Sequence, residues 1–161
     1  MRVVELAKEI AIANSFDNDE VAAACLAGML HDVARDLTPE KLLELAPAQN
    51  DVERMHPLSV HGRAGRKIAE RWGIEDGRVL EAISGHVFGV SPENRVGMAV
   101  YIADVTEPGR QVNHDIRELA MTSLFRAYQR AVDSKVRYLR SKGKSVHPET
   151  LRVYEAICNL T

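Results

Sequence analysis

An apolar helical stretch that ends in two adjacent ligand-type residues constrains this chain most strongly. The stretch Leu26-Ala-Gly-Met-Leu30 is followed at once by His31 and Asp32. Because a buried carboxylate must be paired or bound to a metal, an acid at the end of a core helix is unusual. An imidazole nitrogen beside a carboxylate oxygen suits a first-row transition metal. Taken alone, the pair is explained equally well by a metal site and by a solvated helix end.

Size and composition are those of an ordinary globular chain. The 161 residues suffice for one domain with a hydrophobic core, since 45% are hydrophobic and 27% charged. A net charge of -2 argues against a nucleic-acid partner, which would require a basic surface. No apolar run approaches the ~18 residues of a membrane span, and no secretion signal is visible. We therefore expect a cytoplasmic protein with no membrane partner.

Helical periodicity covers almost the whole chain, and no stretch shows the sustained alternation of a β-strand. The sequence predicts an all-α single domain over residues 1–161, a bundle of about seven to eight helices. The predicted helices are 2–14, 18–34, 39–46, 60–72, 76–86, 93–105, 113–141 and one that begins at Pro148. We expect a polar loop between Pro47 and Pro57, and we expect Trp72 and Cys158 to face inward.

Capping signals predict where individual helices begin. Asp17 and Glu20 have the spacing of a capping box, and Thr38 before Pro39 is a strong start signal. The first helix has no capping residue before Arg2. We therefore expect the chain to begin inside an element that was once longer.

Ligand-type side chains recur on the apolar sides of four predicted helices. They are His31, Asp32, His61, His86 and Asp104. A lone histidine on such a face is more often a core residue, but leaving several polar groups unpaired in one core costs ~1–3 kcal/mol each. One shared polar centre is the less costly arrangement. The other histidines, at positions 56, 114 and 147, are expected to be structural or solvated.

Five motifs in a fixed order carry a family resemblance. They are AGMLHDVAR at 27–35, VHGRAG at 60–65, WGIED at 72–76, AISGHVFG at 82–89 and YIADVTEPGR at 101–110. In this order they resemble the HD-domain metal-dependent phosphohydrolases, and within them the bacterial symmetrical diadenosine tetraphosphate hydrolases (the YqeK-like group). The resemblance covers roughly residues 2–125, whereas the C-terminal helices in 113–161 carry no further motif.

The resemblance implies an enzyme that cleaves dinucleoside tetraphosphates symmetrically into two nucleoside diphosphates. It implies one HD-type domain and a divalent transition metal, usually iron, with manganese or cobalt as substitutes. The implied metal ligands are His31, Asp32 and Asp104. The metal would polarise a phosphoryl oxygen and activate a water molecule. The implied partners are a dinucleoside polyphosphate or a nucleoside diphosphate, and the resemblance slightly favours a homodimer.

Further roles follow from the same resemblance. The implied catalytic residues are Asp32, His61 and His86, and the implied substrate-binding residues are Asp32, His61, His86, Val87, Asp104 and Arg110. Arg110 can hold a phosphate through two parallel hydrogen bonds, which a lysine does less well. Gly62 and Gly89 are expected to let the polyphosphate approach the backbone closely.

Two departures from the family pattern keep alternatives open. The family has a further histidine just upstream of the position of Arg2, which this chain starts too late to contain. It also has two threonines where this chain has Val87 and Phe88. The alternatives are a non-catalytic nucleotide-binding HD module, an HD phosphohydrolase acting on another nucleotide, and a helical interaction domain whose histidines are structural.

Overall fold

The computed structural model describes residues 2–110 and 112–160. These residues form ten α-helices and two 3₁₀ turns, and they contain no β-strand. The predicted all-α fold is therefore confirmed. Met1, Gln111 and Thr161, which belong to the predicted domain of 1–161, lie outside the described residues. The helices are α1 (Arg2–Ala13), α2 (Asn18–Leu30), α3 (Pro39–Leu45), α4 (Asp51–Met55), α5 (His61–Arg71), α6 (Gly77–Gly85), α7 (Arg95–Val105), α8 (His114–Ala120), α9 (Leu124–Ser141) and α10 (Pro148–Cys158).

Helix α7 lies at the centre of the bundle. All residues from Val96 to Ala103 are buried, and the helix packs against α1, α2, α6 and α9. A helix that is apolar all round can be stable only when neighbours cover every face. Asp104 follows this buried run directly, so the core itself fixes the backbone of one predicted site residue.

Two predicted helix starts are confirmed. The backbone N–H of Glu20 donates to the Asp17 carboxylate at 2.8 Å, and the N–H of Asp17 donates to the Glu20 carboxylate at 3.1 Å. Thr38 accepts from the N–H of Lys41 at the start of α3. These caps could be predicted because the residues that satisfy the first N–H groups lie within the same few positions.

Helix α2 ends at Leu30 and not at residue 34 as predicted. Beyond Leu30 the chain makes tight turns, in which the N–H of Val33 bonds the Leu30 carbonyl and the N–H of Arg35 bonds the Asp32 carbonyl. His31 and Asp32 therefore lie directly after the helix and not within it. This position frees adjacent side chains from the roughly 100° spacing of a regular helix.

The predicted loop between residues 47 and 57 is wrong, because it contains α4. Asn50 caps this short helix by accepting the N–H of Glu53 at 3.1 Å. Glu53 is fully buried and pairs with Arg63 at 2.7 Å and with His147 at 3.0 Å. Since these partners come from distant parts of the chain, local periodicity did not indicate the helix.

The predicted continuous helix over 113–141 is also wrong, because the chain breaks between α8 and α9. The side chain of Asn14 lies at this break and donates to the Ala120 carbonyl at 2.7 Å. Its oxygen accepts the N–H of Leu124 at 3.0 Å. One amide therefore satisfies the end of α8 and the beginning of α9, which stabilises the break.

Two residues predicted to face inward are exposed. Trp72 is 61% exposed at the C-terminal end of α5, and Cys158 is exposed as the last residue of α10. Trp72 follows the last residue of α5, and Cys158 is the last residue of α10. Within the described part of the chain, no helix is long and apolar enough to cross a membrane.

Candidate metal and phosphate site

Three histidines from separate elements surround the carboxylate of Asp32. Nε2 of His61 lies 3.0 Å from Nε2 of His86, and these nitrogens lie 3.3 and 3.4 Å from Oδ1 of Asp32. Nε2 of His31 lies 3.5 Å from the other oxygen, Oδ2. The fold thus brings together four of the five residues in the predicted constellation.

The three histidines share one local arrangement. Each follows directly after the last residue of a helix or 3₁₀ turn. Nδ1 of each ring is close to the carbonyl three residues earlier: Gly28 for His31 at 2.7 Å, Leu58 for His61 at 2.7 Å and Ile83 for His86 at 2.8 Å. Because a carbonyl only accepts, Nδ1 carries the hydrogen, and the neutral ring keeps a lone pair on Nε2.

This set of donor atoms fits a divalent transition metal. Imidazole nitrogens and a carboxylate oxygen are the ligands that such metals prefer. Two Nε2 atoms at 3.0 Å, both without hydrogen, are unfavourable unless a metal ion or a proton lies beside them. Burial lowers the pKa of His31, and the neighbouring His86 lowers it further, which favours the neutral ring that a metal requires.

The electrostatics of Asp32 agree with the same conclusion. Burial alone would raise the pKa of its carboxyl, but hydrogen bonds with His61, His86 and Arg35 outweigh that effect. The pKa is therefore held well below its usual range, and the carboxylate is ionised at neutral pH. Its two oxygens have different surroundings, since Oδ2 also accepts from Arg35 at 2.6 Å.

A cavity of about 710 Å³ opens beside the cluster. Its volume lies within the ~300–1,000 Å³ typical of ligand pockets. The lining includes every residue predicted to bind substrate: Asp32, His61, His86, Val87, Asp104 and Arg110. Apolar parts of the lining come from Val112 and Ala131, and Tyr138, a residue that is 57% exposed, also lines this cavity.

The predicted metal ligands border a second cavity of about 440 Å³. His31, Asp32 and Asp104 all line it. Asp104 is held by Arg110, whose Nη2 lies 2.5 Å from Oδ1. The tight group, with ligand atoms within 4.8 Å of one another, is however Asp32, His61 and His86. The structure does not place His31 and Asp104 in that group.

The Val87-Phe88 pair divides between two environments. Val87 lines the 710 Å³ cavity, whereas the Phe88 ring stacks on His147 with ring centroids 3.5 Å apart. Phe88 is buried and lines a different cavity. Of the two positions at which the family has a threonine, only position 87 therefore borders the site.

Gly62 and Gly89 were expected to let the polyphosphate approach the backbone, but close packing and backbone conformation explain why glycine occupies these positions. A Cβ on Gly62 would lie 2.7 Å from the Ser84 carbonyl oxygen, so this glycine permits close packing of α5 on α6. Gly89 has a φ of +124° and faces Val153. Neither borders the 710 Å³ cavity, and a close phosphate approach at these two positions stays a prediction.

Comparison with known proteins gives the family. The HD-domain model matches residues 1–109 of the 161. This chain belongs to the HD-domain family. The recognition made from the five sequence motifs is confirmed, and membership of this family implies that the domain binds a divalent metal.

Several relatives of this HD domain carry descriptive names. This chain is 30% identical to a symmetrical bis(5'-nucleosyl)-tetraphosphatase of Staphylococcus aureus, over 94% of this chain and 80% of that protein. It is 26% identical to the protein of that name from Bacillus subtilis, over 90% of this chain and 81% of that one. A Mycoplasma genitalium protein named as a probable nicotinate-nucleotide adenylyltransferase/Ap4A hydrolase is 33% identical over 69% of this chain. The chain spans only 31% of that protein and 43% of its Mycoplasma pneumoniae counterpart.

A solved structure shares the fold over nearly the whole length of this chain. It is described as a predicted HD superfamily hydrolase involved in NAD metabolism from Clostridium acetobutylicum. The TM-score is 0.87 at 28% identity, with 99% of this chain and 86% of that chain covered. The all-α architecture is therefore that of HD-domain proteins.

Arg35, Lys135 and Tyr138 are among the residues of the HD-domain cavity that sequence reasoning missed. Arg35 follows Asp32 by three positions, a spacing at which two side chains on a helical turn meet. Lys135 lies four positions after Ala131, on the same face of α9 as the buried residues Val132 and Val136. A lysine on an apolar helix face is a signal that could have identified it.

Proposed function

We propose that this HD domain hydrolyses dinucleoside tetraphosphates symmetrically, giving two nucleoside diphosphates, with a divalent transition metal. The observation that carries the proposal is the convergence of three imidazole Nε2 atoms on the Asp32 carboxylate beside a 710 Å³ cavity. The names of the Staphylococcus aureus and Bacillus subtilis relatives support this choice of substrate.

The two oxygens of Asp32 have separate roles in this proposal, Oδ2 toward the metal and Oδ1 toward His61 and His86. We assign Oδ2, with His31 and Asp104, to the metal, and these three side chains line one cavity. A divalent metal bound there supplies a Lewis acid for a phosphoryl oxygen and lowers the pKa of water. Iron is the metal we propose, with manganese or cobalt as substitutes.

His61 and His86 then act on the Oδ1 side of Asp32. A proton between their Nε2 atoms, 3.0 Å apart, is stabilised by Oδ1 at 3.3 and 3.4 Å. The protonated pair carries one positive charge beside the cavity, where it neutralises charge that develops on a phosphate oxygen. Water adds to one inner phosphorus, the central P–O bond breaks, and a nucleoside diphosphate leaves. Positioning and charge neutralisation supply most of the acceleration, since such transition states are loose.

The remaining lining residues suit a nucleotide. Arg110 reaches the cavity from the 3₁₀ turn Pro108–Arg110 and holds Asp104, so it is placed to bind a phosphate. Tyr138, which is exposed, gives a nucleobase a ring on which to stack.

Three further expectations from the sequence remain predictions: one domain over 1–161, a homodimer and a cytoplasmic location.

A product assay tests the proposal. Purified protein is incubated with diadenosine tetraphosphate and Fe(II), Mn(II) or Co(II), and the nucleotides are separated by chromatography. We expect ADP as the sole product. A mixture of ATP and AMP would contradict symmetrical cleavage. Intact substrate, while a reference hydrolase cleaves it, would contradict hydrolysis of this substrate altogether.

The assay also separates the alternatives. Turnover of another nucleotide in a substrate panel would indicate an HD phosphohydrolase of different specificity. Binding of ADP without turnover would indicate a non-catalytic nucleotide-binding module. The absence of both metal binding and nucleotide binding would favour a helical interaction domain.

A further inference from the structure

We propose that Lys135 on α9 binds a phosphate group of the nucleotide, an inference that rests on the proposed function. No sequence motif includes this residue, and it lies far along the chain from the histidines. The proposal adds a second side of the cavity to the phosphate site, one that belongs to the C-terminal helices and not to residues 1–109.

The position of the ammonium group is the first argument. Lys135 lines the 710 Å³ cavity together with Asp32, His61 and His86. Its Nζ donates a hydrogen bond to the Val87 carbonyl. Because Val87 follows His86 directly, this bond holds the positive charge next to the histidine cluster. An ammonium has three N–H donors, and the Val87 carbonyl takes one of them.

The charge balance of the cavity is the second argument. Its two arginines are already paired with carboxylates, Arg35 with Asp32 at 2.6 Å and Arg110 with Asp104 at 2.5 Å. Lys135 has no such pair: across residues 2–110 and 112–160, no carboxylate oxygen lies within 4.0 Å of its Nζ. Of the three lysine and arginine side chains that line the cavity, Lys135 is therefore the one without a carboxylate partner among the described residues.

The cost of placing a lysine here is the third argument. Lys135 lies next to the buried residues Val132 and Val136 of α9 and is itself partly buried, and its Nζ is 5.7 Å from the centroid of the fully buried Tyr101 ring. Burying a cation without a partner is unfavourable. Burial correspondingly lowers the pKa of Lys135 to about 8, although Asp104 opposes the shift. A methionine would fill the same volume without this cost, and a phosphate would remove it by supplying the missing negative charge.

The test compares three variants by calorimetry with ADP in the presence of Mn(II). Lys135→Met removes the charge, Lys135→Arg keeps it, and Arg137→Met removes a charge from the same helix at a side chain that is 79% exposed. We expect Lys135→Met to weaken ADP binding by about 10-fold to 100-fold, the value of a hydrogen bond to a charged group. Lys135→Arg should keep most of the affinity, and Arg137→Met all of it.

A second readout separates binding from a purely structural role. Acylation of Lys135 followed by mass spectrometry should be fast in the free protein and suppressed by ADP. A lysine that only supports the Val87 carbonyl would react equally with and without ADP. Equal ADP affinity of Lys135→Met and the unmodified chain would overturn the inference, whatever the thermal stability of the variant.

Failure of this inference and failure of the proposed function are distinguishable. Hydrolysis with an unchanged KM in Lys135→Met would contradict the inference about Lys135 and would leave the proposed hydrolase function supported. ADP binding that depends on Lys135, in a chain that does not hydrolyse the tetraphosphate, supports the inference and rejects the function. A chain that does not bind ADP at all contradicts the inference directly.

Discussion

Nε2 of His61 lies 3.0 Å from Nε2 of His86, although each ring has its Nδ1 beside a backbone carbonyl. Both neutral rings therefore direct a lone pair at the same point in space. A positive centre, either a metal ion or a proton, must lie beside them for the contact to be favourable. The ionised carboxylate of Asp32, 3.3 and 3.4 Å away, stabilises such a centre.

The first prediction separates the metal ligands from the phosphate ligands. We expect His31→Ala to lower metal content, because His31 is assigned as a ligand and the loss of a residue that merely orients a ligand already costs ~10–100-fold in affinity. We expect His61→Ala to keep the metal and lose turnover. Metal content after dialysis is measured by mass spectrometry, with the exposed His56→Ala as control. Loss of metal in His61→Ala and its retention in His31→Ala would move the metal to the Asp32, His61 and His86 group.

The second prediction concerns the geometry of Arg110. Its guanidinium can make two parallel hydrogen bonds with a phosphate, which the ammonium of a lysine cannot. We expect Arg110→Lys to raise KM for the tetraphosphate by about 10-fold, the value of one lost hydrogen bond between charged groups. Arg130→Lys, in an exposed pair with Asp115, is the matched control. Unchanged KM in Arg110→Lys would remove Arg110 from the substrate site.

The third prediction is a pH dependence. Burial lowers the pKa of Lys135 from 10.5 to about 8 in the ligand-free protein, so the side chain is a cation below that pH and becomes neutral above it. A bound phosphate favours the cation, so ADP affinity should fall as the pH rises through about 8. Calorimetry between pH 6 and 10 measures this. The fall should be absent from Lys135→Met, and an equal fall in that variant would assign it to another group.

Lys135 should also make folding stability depend on pH, with the opposite sign: its contribution to the free energy of unfolding rises with pH. Between pH 8 and 10.5 the unfolded chain binds more protons at Lys135 than the native chain does, so its contribution to stability rises with pH in this window. Below the window the unfavourable contribution is constant. The difference in unfolding free energy between the unmodified chain and Lys135→Met should therefore vary only in this alkaline range.

The fourth prediction concerns the packing that holds His61 next to His86. A Cβ on Gly62 would lie 2.7 Å from a backbone oxygen on α6, which cannot move as a flexible side chain can. We expect Gly62→Ala to destabilise the fold by about 1–3 kcal/mol, the usual cost of overpacking. Gly77→Ala is the control, because nothing lies within 4 Å of its Cβ position. Denaturant unfolding of both variants measures the difference, and equal stabilities would show that α6 yields without cost.

Sequence patterns predicted those features whose causes are local. The cap formed by Asp17 and Glu20 could be predicted because both partners of each hydrogen bond lie within four positions. The break between α8 and α9 could not, because the amide that stabilises it belongs to Asn14, more than 100 positions away. The same limit hid α4, whose buried Glu53 depends on Arg63 and His147.

The site residues likewise include some that local sequence patterns predicted and others that depend on contacts between distant segments. The helical patterns placed His31, His61 and His86 on apolar faces, and the structure brings their rings together. Lys135 reaches the cavity only because α9 packs on α7 and beside Val87, which is a contact between distant segments. Its presence on an apolar helix face was the only local sign.

A paired product assay on the unmodified chain and Asp32→Asn shows whether hydrolysis depends on the Asp32 carboxylate. Both are incubated with diadenosine tetraphosphate and Mn(II), and Asp115→Asn, which changes an exposed carboxylate, is the control. The account predicts ADP alone from the unmodified chain and from Asp115→Asn, and a rate lower by about 100-fold or more from Asp32→Asn. Equal ADP formation by Asp32→Asn would contradict it, because the carboxylate that unites the three histidines would then be dispensable.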